Sequence, residues 1–278
     1  MKLVSFMADG RAGIGRVEGR NVIDLTEEVE GATDLSELLA VSCWAEKAAK
    51  AGGSTNALED IRYLPVNASG AVKVLALGWA YQDHAAETNH AATEFPMFFS
   101  KFPQALAGHE QPLKRPDVSD KFDFEGEIAV VIGRPAHHVS EAEALNHIAG
   151  YTILMDGSIR DWQKHSVTAG KNFAGLTPVG PYLVTPDEAG PHDRLRLQTR
   201  LNGQVMQNAI TSDLIWSIPY LISYCSAFCR LEPGDIISTG TPGGVGAKRD
   251  PQVFMRPGDR IEVEVSGIGV LSNPVVAE

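Results

Sequence analysis

Asp123-Phe124-Glu125-Gly126-Glu127 runs straight into Ile128-Ala129-Val130-Val131-Ile132-Gly133, and this junction restricts the chain more than any other stretch. The apolar run has strand length and predicts a strand. In extended chain Glu125 and Glu127 project to the same face, so two like charges sit side by side and repel unless water screens them or a cation lies between them. If the pair is buried, a divalent metal is the simplest remedy. A solvated strand end with both side chains in water is the competing arrangement.

Similar apolar runs at 72–77 and 151–155 predict further strands, and shorter ones at 3–7, 13–17 and 21–23 precede a helical stretch over 35–50. Breakers then cluster at Gly52, Gly53, Ser54, Pro65, Asn67, Ser69 and Gly70. They predict a small N-terminal α+β domain over 1–65 and a main domain over 70–278. Ser140 and Glu143 have capping-box spacing, and Ser217 with Pro219 suits the start of a packing helix over 218–229. Asn202-Gly203 and Ser266-Gly267 each follow a strand-like run, and Pro-Gly-Asp at 233–235 and 257–259 each precede one. Strands that do not alternate with helices predict mainly antiparallel sheet and argue against a doubly wound parallel fold.

Composition narrows the partners. With 44% hydrophobic and 21% charged residues over 278, the chain is an ordinary globular one, and a net charge of −11 opposes polyanion binding, so no nucleic-acid partner is expected. No apolar run approaches the roughly 20 residues that cross a bilayer, and Asp9 and Arg11 stand where a signal peptide needs its apolar core. The expectation is a cytoplasmic protein with no membrane association. Cys43, Cys225 and Cys229 are expected to be buried thiols, since no histidine near the last two completes a zinc set.

Other candidates for chemistry come singly. Asp156 ends the run 151–155, where a strand terminus could present a third carboxylate to a hard cation, or could cap a helix beginning near Ser158. His84 and Glu87 are three apart, the spacing of a base and its orienting carboxylate on one helical turn, and equally that of a surface pair. Lys171 stands between Gly170 and Asn172-Phe173, as an electrophile beside a substrate carbonyl or as a solvated loop lysine. Arg160 and Gln163 share a helical face if that segment is helical, and either could hold a substrate oxygen or face solvent. The loop 239–246 lacks the Gly-Lys-Ser/Thr of a nucleotide site and reads as a backbone-lined wall with Thr241 reaching inward, or as a plain tight turn.

Taken in order, Tyr81-Gln82-Asp83-His84, Phe98-Phe99-Ser100-Lys101, Glu125-Gly126-Glu127, Ser158-Ile159-Arg160-Asp161, Gly170-Lys171-Asn172-Phe173 and Thr239-Gly240-Thr241-Pro242 resemble the fumarylacetoacetate hydrolase family over about 72–275. The resemblance implies a β-rich α+β fold, with a mixed β-roll or sandwich core and a small N-terminal domain, assembled as a homodimer. It implies that Glu125, Glu127 and Asp156 hold Mg2+ or Mn2+, with Ca2+ a substitute in crystals. His84 and Glu87 fall on the family's water-activating dyad and Lys171 on its substrate lysine. Arg160, Gln163, Thr241 and Tyr81 fall on positions that approach substrate. Ala80, Met155 and Ala174 depart from the usual residues near the substrate, and 88–94 reads as lid-like.

The chemistry expected from these residues is divalent-metal-dependent hydrolysis of a C–C bond in a small 1,3-dioxo acid, an acylpyruvate or fumarylpyruvate-like compound of aromatic catabolism. Decarboxylation or keto–enol isomerisation of a related oxo acid is the alternative.

Overall fold

The structure is a computed structural model in which residues 1–87 and 94–278 are described, residues 85–87 in backbone only. The lid-like stretch expected over 88–94 therefore lies, except for Glu94, outside the described residues.

The strand Gly126–Ile132 is the centre of the molecule. It pairs antiparallel with Ile148–Met155 on one side and with Ile236–Ser238 on the other. Every residue in it is buried, because both faces are covered. Ile128, Val130 and Ile132 share a core with Leu197, Val263 and Ile222, whereas Ala129 and Val131 belong to a second core with Leu35, Leu38 and Leu39. Two covered faces explain an apolar run without polar alternation, and each buried Val or Ile adds roughly 1.5–3 kcal/mol.

The surrounding sheet is mixed. From one edge it runs through Thr55–Ala57, Asn21–Asp24, Arg11–Glu18, Lys2–Ala8, Thr177–Val184 and Ile148–Met155 to the central strand, then through Ile236–Ser238 and Val74–Gly78 to Met97–Lys101. A second sheet orders Gln204–Ile210, Arg196–Leu201, Arg260–Val265, Gly269–Ala277 and Leu113–Arg115. The two sheets pack closely at Gly126, where a Cβ would lie 2.1 Å from Thr199 Oγ1 and 3.0 Å from Val263 Cγ1. Antiparallel pairing dominates, as the hairpin signals predict. Asn202 and Gly203 both take positive φ, 52° and 79°, in the turn joining Arg196–Leu201 to Gln204–Ile210.

Residues 1–65 extend the central sheet. Lys2 and Leu3 pair with Val184 and Leu183, and Val66 N donates to Val179 O at 3.0 Å.

Local differences from the sequence reading have physical causes. The stretch 35–50 forms two helices, Leu35–Ala40 and Trp44–Lys50, because Val41 is extended and Cys43 is left-handed at φ 56°. Cys43 is exposed where a buried thiol was expected, while Cys225 is buried. Ser140 makes no side-chain cap: Glu143 N donates instead to the Ser140 carbonyl at 3.1 Å, tightening Glu141–Ala144 into one turn that continues as 3₁₀ at Leu145–His147. Ser217 does cap Ile218–Phe228, its Oγ accepting from Tyr220 N at 3.2 Å. Among the described residues no helix is long and apolar enough to cross a membrane.

Candidate active site

Strand register brings the carboxylates together. Gly126 faces Met155, so Glu125 falls opposite Asp156, and Asp156 N donates to Glu125 O at 2.8 Å. Glu125 and Glu127 lie on the face away from the second sheet, which packs against Gly126. Ligand oxygens of Glu125, Glu127 and Asp156 all fall within 4.8 Å of one another, and all three residues are buried. The helix-cap reading of Asp156 is not realised, since Ser158–Ile159 pairs as strand with Phe122–Asp123.

Three cations close on this cluster. Lys171 ends the short helix Val167–Lys171, which Ser166 caps, and its Nζ lies 2.5 Å from Glu125 Oε2 and 2.7 Å from Asp156 Oδ2. Arg160 opens the helix Arg160–Gln163 and reaches Glu125 Oε1 with Nη2 at 2.7 Å and Asp123 Oδ2 with Nε at 2.7 Å. Lys101, from the edge strand Met97–Lys101, reaches Asp156 Oδ1 at 2.5 Å and also donates to the Lys171 carbonyl.

The charges settle unequally. Burial works against a charged Glu125, but Lys171 first and then Arg160 outweigh it and hold the carboxyl at about 2. Burial pushes Glu127 well above the ordinary carboxylate range, and the neighbouring Asp156 and Glu125 push it further, against the opposing pull of the Ser238 hydroxyl. Burial lowers Lys101, with Lys171 assisting, whereas for Lys171 the carboxylates of Asp156 and Glu125 overcome burial and hold it as an ammonium. A buried carboxyl crowded by two others is what a hard divalent cation relieves, so the donor set fits Mg2+ or a similar ion.

Glu125, Lys171, Arg160 and Gln163 line a cavity of about 460 Å³ together with His84, Thr241 and an apolar wall that includes Trp79, Met97, Phe98 and Phe99. His84 lies on the helix Gln82–Glu87 and is buried, its titration lowered first by that burial and then by Arg160 and Lys171. Glu87 ends the same helix, but its side chain is outside the described residues. Gln163 Oε1 accepts from Arg160 Nη1 at 3.0 Å, which leaves its amide N–H groups as the donors it can offer the cavity. Thr241 Oγ1 donates to Gly126 O at 3.0 Å and accepts from Gln207 Nε2 at 2.7 Å, tying the Gly-rich loop to the carboxylate strand.

Tyr81 stands apart. It is buried in a cluster with Leu77, Ala80 and Leu221 and is not among the residues that line this cavity; its backbone bridges to Leu214. Two residues escaped the sequence reading as individuals. Lys101 sits at the end of an edge strand, where a lysine reads as solvated, and its one signal is the aromatic run before it. Asp123 is fully buried and accepts from Arg160 Nε and from the backbone N–H groups of Gly246 and Ala247, partners that spacing along the chain does not reveal.

Comparison with known proteins places the chain in a family. The family described as fumarylacetoacetate (FAA) hydrolase C-terminal matches residues 73–276. The chain is 34% identical to the oxaloacetate tautomerase fahd2, mitochondrial, of Xenopus laevis, over 99% of this chain and 90% of that protein. It is 41% identical to the oxaloacetate tautomerase YisK of Bacillus subtilis (strain 168), over 73% of this chain and 69% of that protein. Among solved structures, the fumarylacetoacetate hydrolase of Exiguobacterium antarcticum superposes with a TM-score of 0.85 at 33% identity, each chain covered completely. With residues 73–276 matched by that family, about three-quarters of its length, the chain belongs to the fumarylacetoacetate hydrolase family.

Proposed function

We propose that this protein is a divalent-metal-dependent enzyme that interconverts the keto and enol forms of a small 2-oxo acid. The observation that carries the reading is the triad Glu125, Glu127 and Asp156, with a charged Lys171 against two of its members and a neutral His84 on the wall of the same cavity. The oxaloacetate tautomerases among its relatives, one of them matched over nearly the full chain, support tautomerisation as the chemistry.

Glu125, Glu127 and Asp156 would hold Mg2+ or Mn2+, which when bound supplies a Lewis acid for the substrate's oxygens. Lys171 holds its ammonium where negative charge grows on the 2-oxo oxygen. Gln163 offers amide N–H groups to the substrate carboxylate, its orientation fixed by Arg160. His84, kept as free base by burial, carries the proton between the carbon beside the ketone and solvent. Thr241 fixes the loop that forms one wall, and the apolar residues opposite it limit water at the enolate.

The second reading is hydrolytic C–C cleavage of an acylpyruvate or fumarylpyruvate-like acid, as in aromatic catabolism, with His84 taking its proton from water. The neutral imidazole favours it, because the same free base can activate water. In either reading the protein works as a homodimer, which light scattering of the purified protein tests.

One assay separates the readings. The ultraviolet band of the enol is followed for oxaloacetate and a panel of acylpyruvates, in EDTA and then with Mg2+ or Mn2+ restored. Metal-dependent loss of the oxaloacetate enol without formation of pyruvate supports the tautomerase. Metal-dependent release of pyruvate and a second acid from an acylpyruvate moves hydrolysis into its place, and no metal-dependent change with any of them refutes both.

A further inference from the structure

Two of the cations that line the cavity are already neutralised. Arg160 lies between Asp123 and Glu125, and Lys171 between Glu125 and Asp156. Lys248 lines the same cavity, is exposed, and makes no ion pair among the described residues.

The backbone under Lys248 is firmly held. Lys248 closes the 3₁₀ turn Gly246–Lys248, and its N–H donates to Val245 O at 3.2 Å. Gly246 N and Ala247 N donate to Asp123 Oδ1 and Oδ2 at 2.8 and 2.9 Å, and Val253 N donates to Gly246 O at 3.0 Å. A Cβ at 246 would lie 1.8 Å from Val253 O and 2.6 Å from Asp123 Oδ1, so only glycine lets the turn sit this deep. Asp123 also binds Arg160, which in turn binds Glu125. The turn carrying Lys248 and Glu125 are therefore tied to one buried anchor, which fixes the root of the lysine relative to that carboxylate.

Much of the remaining cavity lining is apolar and includes Trp79, Met97, Phe98, Phe99 and Val245. The cavity, at about 460 Å³, is larger than a four-carbon acid fills. A cation without an ion pair among the described residues, on a cavity otherwise lined largely by apolar groups, is complementary to a ligand that carries a second anion.

We propose that Lys248 is a specificity-determining residue that pairs with the second carboxylate of a 2-oxo dicarboxylic acid longer than four carbons. The assignment rests on the oxo-acid reading above for the placement of the 2-oxo end at Glu125 and Lys171. Lys248 tells diacids from monoacids, and the apolar wall accommodates the carbons between the two ends.

The test uses 2-oxoadipate and 2-oxohexanoate, which match in length and differ by one carboxylate. Their affinities are measured by calorimetry on the Mg2+-loaded protein, wild type and variants. The wild type is expected to prefer the diacid by about tenfold, the scale of one charge-assisted hydrogen bond. Lys248→Ala should abolish the preference, Lys248→Glu should invert it, and Lys248→Arg should keep it. The proposal is overturned if the wild type shows no preference, if Lys248→Ala and Lys248→Glu leave the preference as it is, or if neither acid binds. Because binding is read without turnover, failure of the enol assay refutes the catalytic reading while this ratio still decides the role of Lys248.

Discussion

Replacing Glu127 by glutamine tests the triad most directly. The Glu127 carboxyl is buried within 4.8 Å of two others, and its titration is pushed well above the ordinary range by burial, then by Asp156 and Glu125. A carboxyl whose folded value is raised binds its proton more tightly in the folded state. Its contribution to stability is therefore complete below the unfolded value near 4.5 and is lost as pH rises through the raised folded value. Between those limits the loss is about 1.4 kcal/mol per pH unit in the metal-free protein, or about 2–3 °C of Tm per unit for a chain of this size. Glu127→Gln keeps the shape and an acceptor for Ser238 Oγ and Gly240 N but cannot ionise, so that part of the slope should vanish. Saturating Mg2+ should reverse the ranking: at a hundredfold excess over Kd the wild type gains about 2.7 kcal/mol, and the variant far less. Thermal unfolding across roughly pH 5–9, in EDTA and in Mg2+, reads both effects. Identical metal-free slopes in the two proteins, or equal stabilisation by Mg2+, would refute the idea that Glu127 is a crowded carboxyl awaiting a cation.

His84→Ala should lower turnover by about 10²–10⁴-fold while leaving stabilisation by Mg2+ in place, and loss of that stabilisation would instead make His84 part of the metal site. Because burial lowers the His84 titration, the acid limb of the wild-type pH–rate profile should fall below 6.5; a limb above it contradicts a buried free base. Lys171→Met should cost about 10²–10³-fold in kcat and raise the Glu125 titration, since Lys171 is the main group holding that carboxyl down, and an unchanged kcat removes Lys171 from the chemistry. Asp123→Asn leaves backbone N–H groups and Arg160 short of an acceptor, and should destabilise the protein by about 3–5 kcal/mol in thermal unfolding; a change below 1 kcal/mol argues that the anchor is dispensable.

What the sequence reveals of this site follows how local each cause is. The strand Gly126–Ile132 is legible because a doubly covered strand writes a continuous apolar run, and Glu125 and Glu127 follow from its two-residue period. Asp156 needed the register of a neighbouring strand, which the end of its own apolar run hinted at. Asp123, two residues before Glu125, was hidden because it is held by Arg160, 37 residues on, and by backbone N–H groups more than 120 residues away. Lys101 was hidden because a lysine on an edge strand is ordinarily solvated, and only the fold shows that this one is turned onto Asp156. Tyr81 shows the converse: a residue close in sequence to His84 packs with Leu77, Ala80 and Leu221, and its backbone bridges to Leu214.

The pairing of Lys2 and Leu3 with Val184 and Leu183 has a consequence for how the chain can be shortened. Thr177–Val184 pairs with Ile148–Met155, the strand that ends beside Asp156. Removing the first 65 residues would strip a hydrogen-bonding partner from Thr177–Val184 and uncover Ala129, Val131 and Leu154, which pack beside Leu35, Leu38 and Leu39. A bare strand edge flanked by an uncovered apolar face invites other chains to add to it, so the shortened protein should self-associate. The opening quarter of the sequence thus covers an edge and a face of the sheet that carries the triad.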